Sequence, residues 1–350
     1  MTPALADYTT LGLGGPARSF VPAATEADLI DAVRAAGAAA EPALLIGGGS
    51  NLVISDAGFP GTVIHVNTRG IGYAPADGGA VDVTVAAGED WDDVVAATVA
   101  EGLAGLESLS GIPGRAGATP IQNVGAYGRE VAEVITRVRV YDRREDQILA
   151  IENAECCFAY RTSLFKSAGA RYVVLDVAFR LPAQALSLPV KYAELAAELG
   201  VALGERASVG EVRSAVLKIR ARKGMVLSPG DPDTRSAGSF FTNPIITTAD
   251  FAAVEAAAAA RAAGPVPKYE AGAGLVKVPA AWLIEHAGFA KGYGAPAPAR
   301  VSSKHTLALV NAGHATTADL LALAREIVSG VRSAYGVTLT PEPILIGVSL

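Results

Sequence analysis

Arg161, Ser239 and Glu342 have the side chains and surroundings best suited to proton and anion chemistry in this sequence. Arg161 follows a short apolar segment, where a guanidinium can stabilise a developing anion. Ser239 lies between a glycine and two phenylalanines, and a hydroxyl in such a setting can donate a proton. It lacks a Gly-x-Ser-x-Gly elbow and a nearby histidine, which argues against a nucleophilic triad. Glu342 lies between two prolines, whose rigid backbone suits a positioned acid or base. Taken alone, each is more often an ordinary surface or turn residue.

A glycine run offers a second kind of chemistry, the binding of an anion by backbone N–H groups. Gly47, Gly48 and Gly49 follow the apolar residues 43–46, and Ser50 and Asn51 come next. Without Cβ atoms, the N–H groups of such a run can converge on a diphosphate. The spacing matches neither a dinucleotide-binding fingerprint nor a P-loop, and a plain turn is the alternative.

Residues 110–128 form the strongest candidate for a ligand-binding loop. They combine five glycines with the polar side chains of Arg115, Thr119, Gln122 and Asn123. Such a segment can wrap a flat ligand with polar edges, and a loop that only caps a sheet does not need these donors and acceptors. Long loops without secondary structure are usually functional or disordered, and the apolar residues of this one favour an ordered loop.

Composition and charge exclude several functions. The net charge of −6 argues against nucleic acid as a partner, since phosphate backbones are bound by a clustered basic excess. Cys156 and Cys157 are adjacent and the histidines are scattered, so we expect neither a disulfide framework nor a metal site. The first residues show no secretory signal, and the most apolar window, 251–263, contains Glu255 and Arg261. We therefore expect a cytoplasmic protein without a membrane span.

The predicted helices and strands that must position these residues fall into three blocks along the chain. The blocks differ in the order in which helices and strands follow one another. Apolar periodicity and capping residues predict helices over residues 26–40, 92–101, 248–263, 279–287 and 318–335. Alternating and β-branched segments predict strands at 43–46, 62–66, 81–86, 137–141, 148–151, 173–179, 239–243 and 344–348.

The order of these motifs along the chain resembles the UDP-N-acetylenolpyruvoylglucosamine reductase family, MurB. The segments that carry the resemblance are IGGGSNL at 46–52, GIPGR at 111–115, QNVGAYG at 122–128, FAYRTS at 158–163, AGSFFTNP at 237–244, KVPAAWLI at 277–284 and PEP at 341–343. The resemblance covers about residues 9–347, and the joint occurrence of the segments is highly specific.

The resemblance implies an α+β fold with three domains. The FAD-binding part is of the type shared with vanillyl-alcohol oxidase-like proteins (PCMH type), and an α+β domain binds the substrate. The implied bounds are 1–68 with 337–350 for the first FAD-binding subdomain, 69–223 for the second and 224–336 for the substrate-binding domain. The final strand returns to the first domain.

The chemistry implied by the resemblance is an NADPH-dependent reduction mediated by FAD. UDP-N-acetylglucosamine enolpyruvate is reduced to UDP-N-acetylmuramate, a precursor of peptidoglycan. By resemblance, Ser239 donates the proton that completes the reduction, while Arg161 and Glu342 polarise the substrate and stabilise the enolic intermediate.

Further residues are matched to binding roles by the same resemblance. FAD is assigned to Gly47, Gly48, Gly49, Ser50, Asn51, Gly111, Ile112, Pro113, Gly114, Gly117, Gln122, Asn123 and Gly128. The UDP-sugar substrate is assigned to Tyr192, Lys223, Asn243, Tyr269 and Lys277. The segments around Tyr192 and Tyr269 are those of the longer family type with a tyrosine lid. The segment 220–232 is longer than the basic, proline-containing link of the family, and Lys223 is the lysine matched there.

Two other functions remain open from the sequence. One is a different FAD-dependent oxidoreductase with the same flavin fold, and the other is a catalytically silent nucleotide-sugar-binding protein. The presence of Arg161, Ser239 and Glu342 together argues against the silent protein. We expect a monomer that acts on a small-molecule nucleotide sugar.

Overall fold

The computed structural model describes residues 2–350, which form two compact units. The central unit consists of Arg18–Gly48 and Pro60–Arg222. The C-terminal unit consists of the chain up to Ala17, of Gly49–Phe59 and of Lys223–Leu350. The finer division into three domains stays a prediction. Within residues 2–350, no helix has the length and apolar character needed to cross a membrane.

The helices and strands are named in chain order. The strands are β1 Ala17–Ala23, β2 Ala43–Ile46, β3 Leu52–Ile54, β4 Phe59–Val66, β5 Ile71–Ala76, β6 Ala80–Ala86, β7 Gly125–Ala126, β8 Arg129–Glu130, β9 Ile135–Asp142, β10 Gln147–Glu152, β11 Tyr172–Pro182, β12 Ser236–Ser239, β13 Ile245–Thr247, β14 Tyr269–Glu270, β15 Leu275–Lys277, β16 Ala299–Val301, β17 Ala308–Asn311 and β18 Ile344–Ile346. The helices are α1 Glu26–Ala38, α2 Trp91–Ala100, α3 Leu164–Ser167, α4 Ala193–Leu199, α5 Val209–Arg222, α6 Thr248–Ala260, α7 Ala280–His286 and α8 Thr317–Tyr335.

The central unit contains a three-stranded sheet of order β1-β4-β2 and a five-stranded sheet of order β10-β9-β11-β6-β5. β2 and β4 are parallel, with α1 in the chain between β1 and β2, whereas neighbours in the five-stranded sheet are antiparallel. A capping box begins α1, because the Thr25 hydroxyl accepts from Asp28 N and the Asp28 carboxylate accepts from Thr25 N. The apolar faces of both sheets and of α2 form one buried core that includes Trp91 and Phe179.

The C-terminal unit contains small sheets of order β12-β17-β16 and β13-β15-β14. The amphipathic helix α8 contributes much of its core, with Leu320, Ala324 and Ile327 fully buried. The last strand, β18, pairs in parallel with β3, and Ile344 lies opposite Leu52. The final strand therefore pairs with a strand of residues 1–68, and its assignment to a first domain stays a prediction.

Several predicted elements end at different residues, and the backbone shows why. The strand predicted at 239–243 is wrong in position, because β12 spans Ser236–Ser239 and Gly238 opens a bulge with a φ of 72°. The helix predicted to 263 ends at Ala260, before Ala262 takes a left-handed φ of 54°. The last strand ends at Ile346 rather than 348. Helices α4 and α5 have no counterpart among the predicted elements.

Candidate active site

Gly47 and Gly48 pack directly against the loop 111–117 in the central unit. A Cβ atom added to Gly48 would lie 2.8 Å from Gly114 Cα, and one added to Gly47 would lie 2.9 Å from Cγ of Arg115. Both distances are shorter than ordinary carbon contacts, so only glycine permits this approach. The structure thus brings together two segments that the sequence analysis proposed separately for one cofactor.

The first turn of α2 holds the same loop in place. The indole N–H of Trp91 donates to Leu109 O at 3.2 Å, and the backbone N–H of Trp91 donates to Gly114 O at 3.1 Å. Gly111 N donates to the carboxylate of Asp92 at 2.6 Å. Gly111 itself has a φ of 69°, which favours glycine. The loop is therefore ordered by hydrogen bonds to a helix N-terminus.

Asp92 links this loop to α5 through a bidentate ion pair. Arg213 donates to the two carboxylate oxygens of Asp92 at 2.6 and 2.9 Å. Burial alone raises the pKa of Asp92, but the hydrogen bonds from Arg213 and Gly111 outweigh it and hold that pKa below its ordinary value. The sequence analysis missed Asp92, Arg213 and Trp91; the position of Asp92 in the first turn of a predicted helix was the available signal.

Arg161 and the second half of the loop share an unusual backbone. Arg161 and Asn123 have φ angles of 53° and 47°, a left-handed conformation that non-glycine residues adopt only where their surroundings hold them. The Arg161 guanidinium donates to Gly125 O at 2.9 Å and to Asn123 O at 3.5 Å. The half-buried guanidinium is therefore fixed against the segment 123–125.

The side chain of Asn123 forms hydrogen bonds within the protein. It is buried, its Nδ2 donates to Glu130 and to Ala159 O, and its Oδ1 accepts from Ala132 N. Asn123 therefore shapes the loop through its side chain, and its assignment to FAD stays a prediction. Gln122 lies beside it and is half-buried.

Tyr192 lies against the end of the loop, just before α4. Its ring meets that of Tyr127 edge-on, with centroids 5.4 Å apart. Tyr192 is 41% exposed, whereas burial raises the pKa of Tyr127 to about 12. Gly128 has a φ of 77°, and an added Cβ would lie 2.9 Å from Lys191 Cβ. The loop and the residue expected to form a lid are thus in direct contact.

Ser239 and Glu342 lie on adjacent backbone segments of the C-terminal unit. Ser239 ends β12, opposite Ala308 of β17. The next residue, Phe240, donates its N–H to Leu307 O and accepts from Glu342 N at 2.9 Å. The segment 340–342 therefore pairs with the chain immediately after Ser239. The side chains of Ser239 and Glu342 are both half-buried.

Asn51 joins the glycine run to the segment of Glu342. The Asn51 amide donates to Glu342 O at 3.4 Å, and Asn51 O accepts from Ile344 N at 2.9 Å. Gly49 has a φ of 57°, and a side chain there would overlap Tyr8 O. The border between the units falls between Gly48 and Gly49.

Two of the residues expected to bind the sugar nucleotide, Tyr269 and Lys277, lie on the sheet β13-β15-β14. Tyr269 and Ile245 both lie opposite Lys277, and residues directly opposite one another in antiparallel strands place their side chains on one face. Asn243 precedes this sheet, and its Oδ1 accepts from Ala280 N at 2.9 Å, which caps α7. Tyr269 is 58% exposed and Lys277 is half-buried.

Lys223 begins the C-terminal unit and is followed by Gly224. Gly224 has a φ of 66° and packs against Asp233, which is buried and accepts from the backbone and hydroxyl of Ser303. These contacts fix the backbone beside Lys223.

Of the three residues expected to be catalytic, Ser239 and Glu342 belong to the C-terminal unit, and Arg161 belongs to the central unit.

Gly47, Gly48 and Gly114 of the central unit, together called the glycine cradle, fit FAD. Gly48 and Gly114 pack backbone against backbone, with no side chain between them. Backbone N–H groups of such glycine segments can bind a diphosphate. Nε of Arg115 is buried beside these segments and finds no hydrogen-bond partner among residues 2–350. A buried donor of this kind suits an acceptor such as a phosphate oxygen.

Comparison with protein families matches both parts of the chain. Residues 17–150 match an FAD binding domain, and residues 231–346 match the C-terminal domain of UDP-N-acetylenolpyruvoylglucosamine reductase. The fold is thus an FAD-binding domain followed by the C-terminal domain of this reductase, with helices and strands in both.

Named relatives match the chain over nearly its whole length. It is 55% identical over 349 residues to the UDP-N-acetylenolpyruvoylglucosamine reductase of Thermobifida fusca, covering 99% of this chain and 97% of that protein. The enzyme of the same name from Streptomyces coelicolor is 57% identical, with coverage of 99% and 90%. The crystal structure of UDP-N-acetylenolpyruvylglucosamine reductase (MurB) from Thermus caldophilus is 25% identical, with a TM-score of 0.65 and coverage of 98% and 97%. This chain belongs to the UDP-N-acetylenolpyruvoylglucosamine reductase family.

Proposed function

We propose that this chain is the FAD-dependent enzyme that uses NADPH to reduce UDP-N-acetylglucosamine enolpyruvate to UDP-N-acetylmuramate in peptidoglycan precursor synthesis. The observation that carries the proposal is the similarity to reductases of this name over 99% of the chain. The reaction adds a hydride to one carbon of the enol ether and a proton to the other, so the protein must hold a cofactor, orient an anionic substrate and supply one proton.

FAD is held by the glycine cradle and the loop 111–128. Gly47, Gly48 and Gly114 give backbone access to the diphosphate, and Asn51 fixes the end of the run against the segment of Glu342. When bound, FAD supplies the transfer of hydride from NADPH to the substrate. The hydrogen bonds from α2 to the loop support a preformed site, which lowers the cost of ordering the loop upon binding.

Ser239 donates the proton to the carbon next to the carboxylate. A serine hydroxyl is a weak acid, but the carbanionic enolate that it meets is strongly basic. Its position at the end of β12, next to a fully buried Phe240, supports a rigid donor. Glu342 follows on the neighbouring segment, where its carboxylate polarises the reacting group from a fixed backbone.

Arg161 stabilises negative charge as it develops beside the substrate carboxylate. Its guanidinium donates to two backbone carbonyl oxygens, which help to fix its direction. A cation arranged in advance of the reaction loses little energy to reorganisation and stabilises an anion more strongly in a partly buried site.

The sugar nucleotide is bound by Tyr192, Lys223, Asn243, Tyr269 and Lys277. The common face of Tyr269 and Lys277 supports an ammonium and an aromatic ring acting on one ligand, with Lys277 offsetting the charge of the diphosphate. Asn243 keeps its Nδ2 for a ligand while its Oδ1 caps α7. The exposed rings of Tyr192 and Tyr269 suit a lid. We further propose a cytoplasmic monomer that binds neither nucleic acid nor membrane; the net charge of −6 argues against nucleic acid as a partner.

Replacement of one hydroxyl tests the proposed function. Wild-type enzyme with FAD, NADPH and the enolpyruvyl nucleotide should form UDP-N-acetylmuramate. Ser239→Ala should lower product formation by about 10²–10⁴-fold, the usual contribution of a general acid, while NADPH still reduces the flavin. Ser236→Ala is the matched control, because its hydroxyl on the same strand accepts from Gly238 N. Normal turnover by Ser239→Ala would show that another group donates the proton.

A further inference from the structure

Arg115 is half-buried at the glycine cradle, and the protein itself leaves its hydrogen bonding incomplete. Its Cγ lies 2.9 Å from the point where a Cβ on Gly47 would stand, so its stem covers the start of the glycine run. Nε of Arg115 is buried and has no hydrogen-bond partner among residues 2–350. A buried donor without an acceptor costs free energy, so an acceptor outside the chain is expected there.

The carboxylate nearest to Arg115 leaves room for this acceptor. Asp90 Oδ2 lies 3.7 Å from Nη1 of Arg115, too far for a hydrogen bond. The carboxylate of Asp90 is 44% exposed, whereas the arginine side chain is 20% exposed. Water screens the exposed partner more than the buried one, so the positive charge of Arg115 is only partly compensated.

A second basic group lies in the same place. His65 of β4 pairs with Ile46, the residue before the glycine run. Its burial lowers the pKa of His65, and the charges of Arg115 and Arg69 lower it further. The part of this lowering that comes from Arg115 and Arg69 shows that their positive charges reach His65, and the same charges attract an anion bound beside Gly47.

We propose that Arg115 hydrogen-bonds and charge-pairs with the diphosphate of FAD, and that it makes the cradle selective for the phosphate-bearing form of the flavin. The inference rests on the proposed FAD-dependent function and adds one charged residue to the proposed FAD site. Backbone N–H groups of the glycine run give direction to the anion, and the guanidinium supplies the counter-charge that a backbone lacks.

Comparison of FAD with riboflavin tests this role, because riboflavin has the same ring and no phosphate. Arg115→Met keeps most of the side-chain volume and removes the charge. It should weaken FAD binding by tenfold or more and leave riboflavin binding within about twofold. Arg115→Lys should restore part of the FAD affinity. The affinity of wild-type protein for FAD should fall with added salt, and that of Arg115→Met should fall less.

Arg69→Met is the matched control, since Arg69 contributes to the same potential but already donates to Glu89 at 3.2 Å and to Asn67 at 2.6 Å. It should change FAD affinity by less than threefold. An unchanged FAD affinity and salt dependence in Arg115→Met, or an equal loss for FAD and riboflavin, would overturn the inference while leaving the proposed function intact. Absence of FAD binding to wild-type protein would instead overturn both.

Discussion

Gly48→Ala tests the glycine cradle, because it adds one methyl group and changes no charge. The added Cβ would lie 2.8 Å from Gly114 Cα and 3.3 Å from Gly114 C. Carbon atoms in contact prefer about 3.5–4.0 Å, so the two backbone segments must separate by roughly 0.7 Å. Both neighbours are backbone atoms and cannot rotate away. Gly48 does not have a positive φ, so the effect is steric rather than conformational.

The cost of such a clash is about 1–3 kcal/mol, the usual range for an overpacked interior site. Part of it lowers the free energy of unfolding. The rest appears in FAD binding, because the cradle then holds its N–H groups in the wrong place. A loss of about 1.4 kcal/mol in the free energy of FAD binding corresponds to about a tenfold weaker affinity. We therefore expect an FAD dissociation constant raised by about tenfold, measured by flavin fluorescence titration of apoprotein.

Gly37→Ala is the matched control. Gly37 lies in α1, and an added Cβ there meets nothing within 4 Å. Alanine should stabilise this helix by about 0.5–1 kcal/mol and leave the affinity for FAD unchanged. The reasoning is refuted if Gly48→Ala binds FAD as tightly as wild type, or if Gly37→Ala weakens binding as much as Gly48→Ala does.

Three further predictions concern residues around the proposed site. Glu342→Gln should lower the rate of product formation by about 10²-fold and leave FAD bound, as measured by steady-state kinetics and flavin absorbance. Asp92→Ala should weaken FAD binding by about tenfold, because it removes the acceptor of Gly111 N. Arg222→Ala, which removes an ion pair between α5 and Glu198 of α4, should leave FAD binding unchanged. The pKa of Tyr127 is raised to about 12 by burial, against about 10 for an exposed tyrosine. Its neutral form therefore stabilises the fold fully below about pH 10, and this contribution is lost as the pH rises towards 12. Tyr127→Phe should make the free energy of unfolding less dependent on pH in that window, as measured by denaturant titration.

Each of these predictions has an outcome that contradicts it. Loss of FAD from Glu342→Gln would give this residue a structural role. Equal FAD affinities of Asp92→Ala and wild type would show that the loop keeps its shape without the carboxylate. An unchanged pH dependence in Tyr127→Phe would mean that another group titrates in the alkaline window.

The glycine segments show how far the sequence could predict the candidate site. Glycine density and polar side chains were enough to propose the run 47–49 and the loop 110–128 as binding segments. Their mutual packing was not predictable, because the approach of Gly48 to Gly114 joins residues far apart in the chain. The hydrogen bonds of the Asn123 side chain were not predictable either, since its partners come from two other segments, 130–132 and Ala159.

Secondary structure was predicted best where its signal is local. Strands β6, β9 and β11 have β-branched residues in alternation, and the predicted segments lie inside them. β12 was misplaced because Phe240 and Phe241 look like strand residues, whereas the pairing with β17 extends only to Ser239. Helix α5 was missed although its buried Val212, Val216 and Ile219 have the i, i+4, i+7 spacing of an amphipathic helix, so a local signal was present there.

The most direct test of the proposed function is the dependence of NADPH oxidation on the nucleotide substrate. Purified protein loaded with FAD should oxidise NADPH rapidly only when UDP-N-acetylglucosamine enolpyruvate is present. It should form one UDP-N-acetylmuramate for each NADPH, identified by a mass greater than that of the substrate by a pair of hydrogen atoms. NADPH oxidation that is unaffected by this substrate, or recovery of the substrate unchanged, would contradict the assignment of this chain as the reductase.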